Sequence, residues 1–206
     1  MSAPSNPARR LRTRQQPVCF AGLPRCASGS INRLLAAWDN TWSLAGSFEQ
    51  ITQTHLPPAE LERLWLQGWW FTFVRNPWAR VVSAWQMFEQ NPQFRDGSYP
   101  RDLASVLRLA DTDWTCGNWV FGEDVGLRSY LIPCVSGPLD KLHFIGQVEA
   151  IDTDWNTVQD CTGIRVRLGQ HNATKHKHYR DYFTPETRDT VARIYRDDIE
   201  RFDYSF

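Results

Sequence analysis

Along this chain the spacing of hydrophobic positions changes repeatedly, and each change marks an element. Pro17-Val18-Cys19-Phe20-Ala21-Gly22 is a short, mostly apolar run, which predicts a buried strand entering a loop at Leu23-Pro24-Arg25. From Ser28 to Trp38, Ile31, Leu34, Leu35 and Trp38 fall three and four apart, the spacing of an amphipathic helix. Phe48 to Thr54 reads as a strand, and Pro57-Pro58 opens a helix carrying Leu61, Leu64 and Trp65. Trp69-Trp70-Phe71-Thr72-Phe73-Val74 is nearly unbroken in its apolarity, as a central parallel strand buried on both faces requires. Asn76-Pro77 starts the next helix, with Trp78, Val81, Val82, Trp85 and Phe88 as its apolar face. Residues 91–140 are less regular, with helical pieces expected near 101–109 and 124–131. Leu142 to Val148 predicts another buried strand and Asp152 to Asp160 a helix. Thr184-Pro185-Glu186 opens a last helix running to about Phe202, with threonine at the cap and proline at the first helical position.

Strands alternating with helices predict an α/β fold with a mostly parallel sheet, whose ligands bind at the carboxyl ends of the strands. The 206 residues suit a single domain, residues 17–206, after a basic tail. That tail, residues 1–16, carries Arg9, Arg10, Arg12 and Arg14 and no acid, and is expected to be disordered. The whole chain has 23 basic and 23 acidic residues, so without those four arginines the body holds 19 against 23 and lies near −4. A body of that sign is a poor general binder of nucleic acid, and any anion site must be built locally. No apolar run approaches the ~18 residues of a membrane span, and no secretory segment is visible. Five cysteines without a Cys-x-x-Cys pair argue against a disulfide framework or a zinc site, and suit a cytoplasmic protein.

Two stretches carry candidate chemistry. Gly22-Leu23-Pro24-Arg25-Cys26-Ala27-Ser28-Gly29-Ser30-Ile31 joins a strand to a helix. Such a loop turns backbone N–H groups toward one anion at the positive end of the helix, with hydroxyls from Ser28 and Ser30 and a guanidinium from Arg25. It is not a Walker A loop, because Gly-x-x-x-x-Gly-Lys-Ser/Thr is absent. An ordinary helix start explains the loop equally well when it is taken alone. In the second stretch, Arg75 stands at the end of a strand beside a helix start. Ser83 follows the cap by seven residues, roughly 10 Å along the helix. Together they can hold a phosphate; a salt bridge and a small packing residue are the simpler alternatives.

The stretch from Phe73 to Trp85 resembles the 3′-phosphate motif of sulfotransferases that use 3′-phosphoadenosine 5′-phosphosulfate (PAPS), most closely their carbohydrate-type branch. Pro24 to Ile31 is similar to that family's 5′-phosphosulfate loop, and Phe144-Ile145-Gly146-Gln147-Val148-Glu149 resembles its Gly-x-x-Glu segment. Asn172, Tyr179, Tyr182, Phe183, Thr184, Glu186, Asp198, Phe202, Tyr204 and Phe206 follow its carboxyl-terminal signature. The resemblance implies a three-layer α/β fold, a central parallel sheet flanked by helices in a nucleotide-kinase-like layout. It implies transfer of a sulfuryl group from PAPS to an acceptor hydroxyl, less readily an amine, with 3′,5′-bisphosphoadenosine as the product. Arg25, Cys26, Ala27, Ser28, Gly29, Ser30 and Ile31 would hold the 5′-phosphosulfate, Arg75 and Ser83 the 3′-phosphate, with Asn172, Lys175 and Tyr179 also at the cofactor. The acceptor would be a small molecule or a carbohydrate, and no metal is needed. This chain departs from the family where Arg25 replaces the usual lysine, where Gln147 replaces a common arginine, and at Cys26.

The family places a catalytic histidine or glutamate between its two phosphate motifs, and His55 is the only histidine between Arg25 and Arg75. Imidazole takes a proton near neutral pH, as a base acting on an acceptor hydroxyl must. His143, beside a buried strand, reads as structural. His171, His176 and His178 stand with Lys175 in a polar loop, read as a lid near the cofactor phosphates. Trp114 and Trp119 are candidates for an aromatic wall of the acceptor pocket. Cys19 and Arg25 also share the Cys-x5-Arg spacing of tyrosine-phosphatase loops, but Cys19 falls inside the apolar run, and bulky Phe20 and Leu23 replace the small residues of a phosphate cradle. A phosphoryl-transferring enzyme of similar fold and a non-catalytic nucleotide-binding module remain the alternatives.

Overall fold

In the computed structural model, residues 16–38, 41–45, 63–64, 66–90, 101–111, 130–136, 139–169 and 176–206 are described. The basic tail up to residue 15, the expected strand at 48–54, most of the expected helix from Pro57, the expected helical piece at 124–129, Trp114 and Trp119 lie outside them.

Among the described residues four parallel strands form one sheet, β1 (Val18–Gly22), β2 (Thr41–Ala45), β3 (Trp69–Val74) and β4 (Phe144–Gln147), in the order β2-β1-β3-β4. β1 aligns Val18 with Thr41 of β2 on one side and with Trp69 of β3 on the other; β3 aligns Phe71 with Phe144 of β4. β1 and β3 lie inside the sheet and every one of their residues is buried, which is why their sequences are continuous apolar runs. β4 has only β3 beside it among the described strands and alternates buried with half-buried residues. β2 stands where no strand was expected, although Thr41-Trp42-Ser43-Leu44 alternates polar and apolar positions.

The one polar residue of β3, Thr72, is fully buried and donates its hydroxyl to the Ala21 carbonyl at 2.5 Å, so no polar atom is stranded there. The indole of Trp70 likewise donates to the Leu64 carbonyl at 2.8 Å. His143 stands one residue before β4. Its N–H donates to the Trp70 carbonyl (2.8 Å), and its Nδ1 accepts from the Trp70 N–H (3.1 Å). The imidazole thus replaces a strand carbonyl, its proton on Nε2, and stacks on Trp69 at 6.1 Å.

The described residues within Met1–Val74 and Pro138–Asn172 form one compact unit, and those within Arg75–Gly137 and Ala173–Phe206 another. The first holds the sheet, α1 (Ser28–Leu35) packed on β1 and β2, and the helix Ile151–Thr162 packed on β4. Their ends are set locally. Gly163, at φ 82°, terminates the Ile151–Thr162 helix in the left-handed cap that glycine adopts without strain. α1 stops at Leu35, short of the expected Trp38, whose side chain is exposed.

The second unit contains α2 (Pro77–Gln90), α3 (Leu103–Ala110), a 3-10 turn at Cys134–Ser136, another at Tyr179–Tyr182, and the helices α5 (Pro185–Ile194) and α6 (Arg196–Phe202); the helix Ile151–Thr162 is α4. Trp78, Val81, Ala84 and Phe88 of α2 meet Leu103, Val106 and Leu107 of α3, Leu131, Val191 and Tyr195 in one core. The single helix expected from Thr184 to Phe202 is two, broken at Tyr195 (φ −106°, ψ 26°). No proline or glycine stands nearby; the break coincides with a phenol that is buried and hydrogen-bonded to the Leu131 carbonyl at 2.6 Å.

Candidate functional site

β1 delivers the chain into the turn 24–27, closed by a Cys26 N–H bond to the Leu23 carbonyl at 3.2 Å. Two residues of this turn that are not glycine, Arg25 (φ 64°) and Ala27 (φ 62°), adopt the left-handed conformation. Each costs about 1–2 kcal/mol relative to the right-handed form, so the surrounding packing must hold them there. Leu23, Cys26 and Ile31, all fully buried, supply that packing. Turns with left-handed residues gather successive N–H groups into a concavity suited to an anion.

Ala27 is the N-cap of α1, and it makes no side-chain cap bond, since a methyl group cannot accept one. Its carbonyl takes the N–H groups of Ser30 (3.0 Å) and Ile31 (3.1 Å). The first turn of α1 holds no acidic residue either. Neither the cap side chain nor an acidic residue of the first turn therefore offsets the positive end of the helix. The expected contributors divide by exposure. Arg25, Ala27 and Ser28 are half-buried and Gly29 is exposed, whereas Cys26, Ser30 and Ile31 bury their side chains and have their N–H groups engaged by the Leu23 and Ala27 carbonyls.

Arg75 follows the last residue of β3 and is half-buried. Asn76 caps α2: its Oδ1 accepts from the Ala79 N–H at 3.3 Å, and its carbonyl accepts from the Arg80 N–H at 2.9 Å. Pro77 occupies the first helical position, where its missing N–H costs nothing. Ser83 is 1% exposed, and so sits within the floor of α2 and not on its solvent face. Tyr179 is half-buried in its 3-10 turn; its hydroxyl accepts from Arg180 Nε at 3.3 Å, and its ring meets Phe206 edge-on at 5.8 Å. His55, Asn172 and Lys175 lie outside the described residues.

Sequence reasoning missed a buried polar network beside Ser83. Arg80, 2% exposed and one helical turn earlier, donates to the Ile132 carbonyl at 2.6 Å and contacts Cys134 Sγ at 3.6 Å. The Asp198 carboxylate accepts the Cys134 N–H (2.8 Å) and the Val135 N–H (2.7 Å). Burial pushes the Asp198 carboxyl above its ordinary value, while those two donors and the Arg80 charge act in the opposite direction. The available signal was an arginine lodged between Trp78 and Trp85, inside an otherwise apolar helix.

Cys19 is fully buried in the middle of β1, its thiol directed to the Pro17 carbonyl at 3.9 Å. A phosphatase nucleophile must stand in the anion loop itself, so the Cys-x5-Arg spacing is coincidental.

The sequence model of the Sulfotransferase family matches residues 10–205. The chain belongs to the sulfotransferase family. No curated protein matched the sequence. Among solved structures, the chain is similar to mouse sulfotransferase SULT7A1 complexed with PAP, with a TM-score of 0.53 and 12% identity over 94% of this chain and 87% of that one. At that identity the likeness is one of fold, and it agrees with the α/β architecture expected from the sequence. Among the described residues of this sulfotransferase no helix is long and apolar enough to cross a membrane.

Proposed function

We propose that this sulfotransferase moves a sulfuryl group from PAPS to an acceptor hydroxyl, an amine being the less favoured acceptor. The observation that carries the reading is the start of α1: an alanine cap, two left-handed residues that are not glycine, and an arginine between strand and helix. That arrangement fits a phosphosulfate, whose oxygens take N–H donors at the positive end of a helix. Family membership supplies the chemistry, and the PAP held by the mouse structure is consistent with it.

In this scheme the acceptor oxygen bonds to sulfur in line as the bond from sulfur to the bridging oxygen breaks. Arg25 and the N–H groups of residues 27–29 stabilise the charge that grows on the departing phosphate oxygen, an interaction strongest in the transition state; the Ser30 N–H is taken by the Ala27 carbonyl. Arginine keeps its proton throughout, so Arg25 acts here by charge and hydrogen bonding. His55 accepts the proton that leaves the acceptor hydroxyl. Arg75 and Ser83 hold the 3′-phosphate, with Asn172, Lys175 and Tyr179 as further cofactor contacts. Buried cysteines such as Cys19, Cys26, Cys134 and Cys161 suit a reducing, cytoplasmic setting. The acceptor is a small molecule or a carbohydrate.

A melting experiment tests the reading without knowledge of the acceptor. A ligand at a hundredfold excess over its Kd adds about 2.7 kcal/mol, and each kcal/mol raises Tm by roughly 2–4 °C at this size. The 3′,5′-bisphosphoadenosine is expected to raise Tm by about 5–10 °C, with 5′-AMP and ATP far behind and magnesium without effect. A larger shift with magnesium and ATP would transfer the assignment to phosphoryl transfer. PAPS-dependent turnover then separates an enzyme from a binding module.

A further inference from the structure

Asn76 does more than cap α2. While its Oδ1 accepts the Ala79 N–H, its Nδ2 donates to the Ser205 carbonyl at 2.8 Å, 129 positions away. Both ends of one side-chain amide are therefore used, and Asn76 is 7% exposed. The next residue after Ser205 is an anchor. The Phe206 ring meets Trp78 (5.6 Å), Tyr179 (5.8 Å) and Phe183 (5.7 Å), each edge-to-face. The guanidinium groups of Arg180 and Arg188 lie over the same ring at 5.5 and 6.0 Å. Trp78 is itself tied down, its indole donating to the Arg188 carbonyl at 3.0 Å.

We infer that Ser205–Phe206 is a strap that sets the direction of Arg75, with Asn76 and Phe206 as positioning residues for 3′-phosphate recognition. Arg75 is the residue just before the cap, so the torsions at its root are shared with the peptide that Asn76 fixes. A cap alone satisfies the helix N–H groups and leaves the preceding residue free to swing. The second bond, to a carbonyl beside a half-buried aromatic ring held by three others, removes that freedom and pre-orients the guanidinium fork. Pre-orientation matters because a bidentate contact to phosphate is lost by a small rotation. Neither Asn76 nor Phe206 needs to touch the nucleotide. The inference rests on the reading of Arg75 as the 3′-phosphate residue.

The test uses three variants and two nucleotides. Asn76→Ser retains a capping oxygen and removes only the donor to Ser205. Phe206→Ala removes the anchor, and Phe206→Tyr restores the ring. Affinity for 3′,5′-bisphosphoadenosine and for 5′-AMP is measured by calorimetry, with circular dichroism and Tm to establish folding. Asn76→Ser and Phe206→Ala are expected to weaken the bisphosphate roughly tenfold, the loss of one charge-assisted contact. Binding of 5′-AMP should hold within about twofold, a difference below 0.5 kcal/mol, and Phe206→Tyr should recover the bisphosphate. In turnover with PAPS the same variants should raise KM with kcat little changed. Folded Asn76→Ser that still prefers the bisphosphate as strongly as the native chain overturns the strap, whatever Phe206→Ala does. If the native chain itself does not distinguish the two nucleotides, the Arg75 reading falls first and takes the strap with it.

Discussion

The Cys134 N–H donates to the Asp198 carboxylate at 2.8 Å, joining two residues 64 positions apart. With the Val135 N–H on the second oxygen, Asp198 caps the 3-10 turn Cys134–Ser136 from inside the core. Arg80 holds the same segment through the Ile132 carbonyl. Removing one member of a buried charged group leaves the others unpaired and costs about 3–5 kcal/mol. Asp198→Ala should lower the urea-derived stability by about that amount, and Asp198→Asn, which keeps one acceptor oxygen, by less. A loss below ~1 kcal/mol for Asp198→Ala would mean that the segment does not depend on this carboxylate.

Tyr195 ties alkaline stability to the same region. Burial pushes its phenol well above the ordinary value, Asp198 and Cys134 add to the rise, and Arg80 opposes it. In the unfolded chain the phenol loses its proton near pH ~10, while the folded chain retains it. The unfolded state then binds fewer protons, so stability contributed by Tyr195 is present below that pH and declines as pH rises, by up to ~1.4 kcal/mol per unit. Tyr195→Phe should abolish that decline. At neutral pH it should cost about 1–3 kcal/mol, because the Leu131 carbonyl loses its partner. Denaturation curves of both chains between pH ~8 and ~11 measure the two effects; parallel curves would exclude Tyr195 as the titrating group.

Gly146 in β4 faces the Phe73 ring of β3 so closely that a Cβ would lie 2.6 Å from one ring carbon and 2.9 Å from two others. Gly146→Ala must push a ring that is itself fully buried, at a cost of about 1–3 kcal/mol. Gly146→Ala paired with Phe73→Leu should recover part of that loss in thermal melts. An additive double variant would assign the glycine some other role.

The two arginines should separate kinetically. Arg75→Ala is expected to weaken 3′,5′-bisphosphoadenosine by about 1.5–3 kcal/mol and 5′-AMP much less. Arg25→Ala should depress the chemical step, since its charge matters most as the leaving oxygen develops. His55→Ala should lower turnover by ~10²–10⁴-fold with cofactor affinity nearly intact. Turnover within a few-fold of the native chain would remove His55 from the mechanism.

What the sequence determined by itself is what depends on neighbours along the chain. The apolar runs at Val18–Gly22 and Trp69–Val74 could only be interior strands, because no amphipathic period offers a wet face. Asn76-Pro77 and Thr184-Pro185 announced helix starts, and both caps are made as read. The family was legible too, because its motifs are local blocks in a fixed order, and the match to residues 10–205 bears that out. The tertiary structure alone decided three things. β2 is settled as a strand by pairing with β1, since the alternation of Thr41-Trp42-Ser43-Leu44 runs over too few residues to announce one. The last helix breaks at Tyr195 at a phenol fixed to a carbonyl 64 positions earlier. Asn76 and Asp198 gained their partners, Ser205 and the Cys134–Val135 amides, only when distant segments met. Local patterns record which face a residue must bury; a hydrogen bond across the core is recorded nowhere along the chain, because its two halves are ordinary residues until folding brings them within 3 Å.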